Sequence, residues 1–203
     1  MKKIAVFASG AGSNAAKIIE KFKEHPVVEV ALIICNKPGA GVLQIAEKNN
    51  IRTILIDKEK FFRGNGYVDE LRQIGIDFIV LAGFLWKIPD VLIKAFPKKI
   101  INIHPALLPK HGGKGMYGLL VHQSVIEQGE KESGITIHYV DEHYDNGQHH
   151  HPHWPWKNVD RMRDVADLGK LRLSRAGGRL EIHHARSIRR RSRLRKKARK
   201  AGT

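Results

Sequence analysis

Short, nearly unbroken runs of Val, Ile, Leu and Ala recur through the first 140 residues, each followed by a turn and then an amphipathic segment. A run without polar alternation reads as a strand buried on both faces, and such strands need crossovers, usually helical, to lie parallel. Residues 4–8 open the pattern, and Ser9-Gly10-Ala11-Gly12-Ser13-Asn14 leads into a helix through Phe22 whose inward face is Ala16, Ile18, Ile19 and Phe22. Strands at 27–34 and 53–56 flank a helix at 42–48. A helix at 67–74 precedes a strand at 78–82, and a helix at 89–95, with proline in its first turn, precedes a strand at 100–103. A helix at 119–128 leads to a last strand at 134–140. The spacing predicts an α/β fold, a doubly wound and mostly parallel sheet.

Charge divides the chain in two. Of 36 Lys+Arg and 20 Asp+Glu, residues 149–203 hold 17 and 4, which leaves 19 and 16 for residues 1–148. The high isoelectric point therefore describes an appendage, and the body must be read separately from it. We expect residues 1–148 to form one domain and the His/Arg-rich residues 149–203 to be disordered. Cys35 is the only cysteine, which excludes a disulfide framework and fits a reducing compartment. The apolar run after Met1-Lys2-Lys3 is too short for a secretory signal or a membrane span, so the reading is a cytoplasmic chain without a membrane partner.

Asn102-Ile103-His104-Pro105 carries the strongest chemical signal. Side chains two apart on a strand point the same way, so an amide donor and an imidazole share one face where the strand ends at Pro105. That pairing suits the polarisation of a carbonyl at the carboxyl edge of the sheet, where open α/β sheets bind ligands. In Ser9-Gly10-Ala11-Gly12-Ser13-Asn14 the glycines allow close approach of an anion to a helix amino terminus. The turn lacks both the Lys-Ser/Thr of a triphosphate loop and the dinucleotide spacing, so a monophosphate is the expected ligand. Leu81-Ala82-Gly83-Phe84-Leu85-Trp86-Lys87-Ile88-Pro89 reads either as core packing or as an apolar slot for a flat heterocycle.

With Tyr144-Asp145-Asn146-Gly147 added to these motifs, residues 3–148 resemble the folate-dependent glycinamide ribonucleotide formyltransferases, whose sheet is Rossmann-like. The resemblance implies transfer of the formyl group of 10-formyltetrahydrofolate to the amine of glycinamide ribonucleotide in purine synthesis, with no metal. It implies that Gly12, Ser13 and Asn14 hold the substrate phosphate, and that Leu85, Trp86, Lys87 and Ile88, with Arg63 and Asn102, contact the folate. Asn102 is expected to donate to the oxyanion, and His104 to act as general acid. Asp145 is expected to raise the pKa of His104 and to position a water. Thr136 and His138 read as structural.

Alternatives stay open. A methionyl-tRNA formyltransferase uses a similar Asn, His and Asp set, and a basic tail suits tRNA phosphates. The run Arg189-Arg190-Arg191-Ser192-Arg193-Leu194-Arg195-Lys196-Lys197 binds polyanions nonspecifically if it is the working part. The histidines 149–151 and 153 lack the spacing of a folded zinc site, and we assign no metal. The resembled family continues past Tyr-Asp-Asn-Gly with a strand and a helix, whereas no strand alternation is visible here. A shift of reading frame near Gln148 accounts for that change and leaves a sheet edge uncovered.

Overall fold

In the computed structural model the described residues are 1–143, 145, 154–157, 171–176 and 179–184. The chain runs β1 (Lys2–Ala8), α1 (Ser13–Phe22), β2 (Val28–Cys35), α2 (Gly41–Lys48), β3 (Arg52–Leu55), α3 (Lys58–Arg63), α4 (Val68–Ile74) and β4 (Ile76–Leu81). It continues through α5 (Asp90–Ala95), β5 (Ile100–His104), α6 (Leu119–Glu127), β6 (Glu132–Tyr139) and β7 (Trp154–Lys157) to a hairpin of β8 (Leu171–Ala176) and β9 (Arg179–His184).

β1 to β7 form one sheet in the order β3-β2-β1-β4-β5-β6-β7. β1 to β5 are parallel, as their unbroken apolar runs require. Successive residues of each strand enter different cores. Phe7, Leu32, Ile34, Ile79 and Leu81 pack with Phe61, Leu71 and Leu92 from α3, α4 and α5. Val6, Ile33, Cys35 and Val80 pack on the other side with Ala15 and Ile19 of α1 and Val42 and Ala46 of α2. Strand order reverses between β1 and β4, the place where a doubly wound sheet opens a crevice at its carboxyl ends.

Three features add to or depart from the sequence reading. β6 runs antiparallel to β5, with Asn102 opposite His138 and His104 opposite Thr136. α3 is a further helix, started by Asp57, whose side chain accepts from the N–H of Lys60. Beyond Gln148, where no strand alternation was expected, β7 pairs antiparallel with β6 and covers the edge expected to be bare. β8 pairs with β9 in the same stretch. The remaining residues of 149–203, including the histidine run and the 189–197 basic run, lie outside the described residues, as does the expectation of disorder there.

Candidate active site

The register of β5 and β6 builds the centre of the site. Opposed residues of an antiparallel pair share a face, so Asn102, His104, Thr136 and His138 form one polar patch at the carboxyl end of β5. Thr136 acts structurally, as expected: its hydroxyl donates to the carbonyl of Ala106 at 2.8 Å and accepts the N–H of Leu108 at 3.0 Å. These bonds turn the chain sharply after His104.

His104 is 2 % exposed. Its Nε2 lies 2.9 Å from the carbonyl oxygen of His111, and because a carbonyl only accepts, Nε2 carries the proton. Nδ1 is left facing Asp145, 3.7 Å from Oδ1. Asp145 reaches this position in a left-handed conformation, φ 51°, and its Oδ2 accepts the N–H of Gly113 at 2.9 Å. The corner therefore brings together the amide, imidazole and carboxylate that the sequence singled out. Tyr144, Asn146 and Gly147 lie outside the described residues.

Burial, not Asp145, sets the net direction at His104. Asp145 does favour the charged imidazole, as does the His111 carbonyl, but burial opposes it more strongly and holds His104 below the usual histidine value. Burial pushes the carboxyl of Asp145 up, yet the His138 ring, the Gly113 N–H and the His104 charge together outweigh it and leave Asp145 low. The resting pair is thus a neutral imidazole beside a carboxylate. His122, buried on α6, is likewise held low, by burial and then by the charge of His104.

His138, expected to be structural, lies inside the corner. Its Nδ1 lies 2.9 Å from the carbonyl of Tyr139 and so carries a proton, and its Nε2 lies 3.2 Å from Asn102 Nδ2, whose N–H it accepts when Nε2 is unprotonated. The same Nε2 is 3.5 Å from Asp145 Oδ1. His138 orients the Asn102 amide and leaves that amide a second N–H for a ligand. The sequence held a signal for this: Thr136 and His138, two apart on a strand, mirror Asn102 and His104.

The glycine turn sits at the strand-order reversal. Gly12 precedes α1 at φ 77°, and a Cβ there would stand 2.8 Å from the Cα of Val42, so the turn needs glycine both for its conformation and for the approach of α2. Ser13 and Asn14 begin α1, whose first-turn N–H groups have no partners within the helix and whose first turn carries no acidic residue. Ser9 joins this turn to the next loop: its N–H donates to the carbonyl of Gly83 at 3.1 Å, and its hydroxyl accepts the N–H of Leu85 at 2.9 Å.

The 81–89 loop is divided between the two readings given to it. Ile88 is buried in the core with Phe61 and Leu92, and Trp86 packs against Phe61, Phe62 and Phe84. Leu85 and Lys87 are exposed at the carboxyl edge. Arg63 lies on the exposed side of α3, 3.0 Å from Glu59, and is not gathered into the Asn102–His104–Asp145 corner.

Residues 2–153 match the family model described as formyl transferase. A chloroplastic phosphoribosylglycinamide formyltransferase of Arabidopsis thaliana is 48 % identical over 153 residues, 72 % of this chain and 52 % of that protein. The phosphoribosylglycinamide formyltransferase of Bacillus subtilis is 39 % identical over 152 residues, 72 % of this chain and 75 % of its own. This chain spans about half the length of the two plant relatives from Arabidopsis thaliana and Vigna unguiculata. The crystal structure of the Bacillus halodurans phosphoribosylglycinamide formyltransferase superposes with a TM-score of 0.70 at 33 % identity, covering 80 % of this chain and 86 % of that one. The chain belongs to the formyl transferase family, among its phosphoribosylglycinamide formyltransferases.

Proposed function

We propose that the chain transfers a formyl group from 10-formyltetrahydrofolate to the amine of glycinamide ribonucleotide. The observation that carries this reading is the corner itself, where Asp145 faces His104 and, through His138, Asn102 at the carboxyl end of β5. Gly12, Ser13 and Asn14 take the substrate phosphate on the amino terminus of α1. Leu85, Trp86, Lys87 and Ile88 supply the slot for the folate ring, Leu85 and Lys87 at its exposed rim, Trp86 and Ile88 as its floor.

Resting neutral, His104 accepts the amine proton at Nδ1 as the amine nitrogen bonds to the formyl carbon. Asp145 stabilises the imidazolium so formed, and Asn102 donates its second amide N–H to the oxyanion, a contact worth about 3 kcal/mol in comparable sites. His104 then returns the proton to the departing folate nitrogen as the carbon–nitrogen bond breaks. It is a base in the first half and the expected general acid in the second. The test is formyl transfer by the full chain and by His104→Ala, with expected loss of about a hundredfold or more in kcat; a folded full-length chain that transfers no formyl overturns the reading.

The domain division is part of the same proposal: the body is residues 1–148, to whose sheet β7 adds an edge strand from the stretch that follows, and residues 149–203 are out-of-frame or replaced sequence. Sequencing the coding DNA tests this, because a single clean frame opposes it. Salt-dependent retention of polyanions by residues 149–203 is expected from their excess of cations. Among the described residues no helix is long and apolar enough to cross a membrane.

A further inference from the structure

A fourth buried histidine is tied into the corner from behind. His111 lies between β5 and α6 in a left-handed conformation, φ 56°, and is 8 % exposed. A non-glycine residue held in this way is uncommon and needs an anchor. Ser124 supplies it: its Oγ on α6 lies 2.9 Å from His111 Nδ1, whereas Nε2 has no hydrogen-bond partner and stands 3.7 Å from Glu130 Oε1, beyond α6. Glu130 is itself fixed by Lys110 Nζ at 2.8 Å. The ring of His111 is thus fastened to the helix, while its carbonyl receives Nε2–H of His104 at 2.9 Å.

We propose that His111, held by Ser124, is a positioning residue whose carbonyl sets the tautomer of His104 and so makes Nδ1 the proton-transferring atom. The inference rests on the formyl-transfer reading above. A neutral imidazole has one N–H, and the nitrogen that finds the better acceptor keeps it. Two acceptors compete here, the His111 carbonyl at Nε2 and the Asp145 carboxylate at Nδ1. Withdrawal of the carbonyl sends the proton to Nδ1, and Nδ1 then has no lone pair to take the proton of an attacking amine. The backbone after His111 is held at Gly112, where a Cβ would stand 2.5 Å from Leu108 Cδ2 and 3.2 Å from Asp145 Cβ, and at Gly113, whose N–H donates to Asp145. At residue 111 itself the bond of the ring to Ser124 is the side-chain anchor that sets where the carbonyl stands.

The test uses the full chain labelled with nitrogen-15 at histidine, with His104→Gln to assign the His104 signals. His111→Asn removes the ring while tolerating the left-handed backbone, and Ser124→Ala loosens the ring without touching residue 111. Expected are an Nε2–H tautomer for His104 in the parent and a shift towards Nδ1–H in both variants. A fall in kcat of about tenfold should accompany it, with KM for both substrates changed less than about twofold. A His104 tautomer unchanged in both variants overturns the proposal, as does a shifted tautomer with undiminished kcat. If the parent chain transfers no formyl, the functional reading fails, while the tautomer signals still decide whether His111 sets the proton.

Discussion

The two ends of the site are built in opposite ways. The glycine turn is contiguous and made mostly of main chain, and its tertiary demands are the close approach of Val42 to Gly12 and the bonds of Ser9 to Gly83 and Leu85. The catalytic corner draws side chains from β5, β6 and residue 145 and a backbone N–H from Gly113, so its parts meet only after the sheet is in register. A contiguous element is fixed by dihedral angles and tolerates most side chains that respect them. A dispersed, buried one is fixed by pairing, and loss of one member leaves its partners unsatisfied. Damage to the corner should therefore appear in the chemical step, and damage to the turn in substrate binding and stability.

The largest effect expected on the corner is that of His104→Gln, a fall of about a hundredfold to ten-thousandfold in kcat with little change in KM for the ribonucleotide. Steady-state kinetics at saturating folate measure both. On the turn, Gly12→Ala should cost about 2 kcal/mol of stability through left-handed strain, with more from the Val42 contact at 2.8 Å. Denaturant unfolding reads that loss, and KM for the ribonucleotide should rise while kcat is kept within a few-fold. A Gly12 variant whose kcat collapses while its KM is unchanged breaks the distinction between the two ends.

The same contrast explains what could be read in the sequence. The turn, the parallel strands and the shared face of Asn102 and His104 follow from local rules of period and turn chemistry. Asp145 was reachable only through the resemblance, because nothing near it in sequence points back to β5. His138 was legible as one of a strand pair but not as a partner of Asn102, since that depends on an antiparallel register. Short α3 went unread although Asp57 caps it and Phe61 faces the core, because a six-residue helix gives less than two turns of pattern. The low pKa direction of His104 arises from burial, which the order of residues does not state.

A pH series sharpens the comparison further, since the corner and α6 carry the buried histidines. His104 and His122 are held below their ordinary value of 6.5, so the unfolded chain binds protons there that the folded chain refuses. Stability from both is complete above about pH 6.5 and is lost as pH falls below it. Asp145 is held below 3.8, so its contribution is present above that value and is lost only at lower pH. Melting temperature should therefore drop from about pH 7.5 to about pH 5, and His104→Gln combined with His122→Gln should flatten the slope. An equal slope in the double variant would place the sensitivity elsewhere.

The smallest effect belongs to Arg63, which the resemblance put against the folate. Its neighbour Phe62 packs on Trp86 with ring centroids 5.4 Å apart, so α3 borders the apolar slot. The guanidinium itself turns to Glu59 along the exposed side of the helix, in an exposed pair of the kind worth about 0.5 kcal/mol or less. Arg63→Ala should accordingly change KM for the folate by no more than about twofold and leave kcat as it was. A tenfold rise in that KM alone means that the arginine leaves Glu59 when the folate binds, and the slot, like the corner, is then assembled from distant segments.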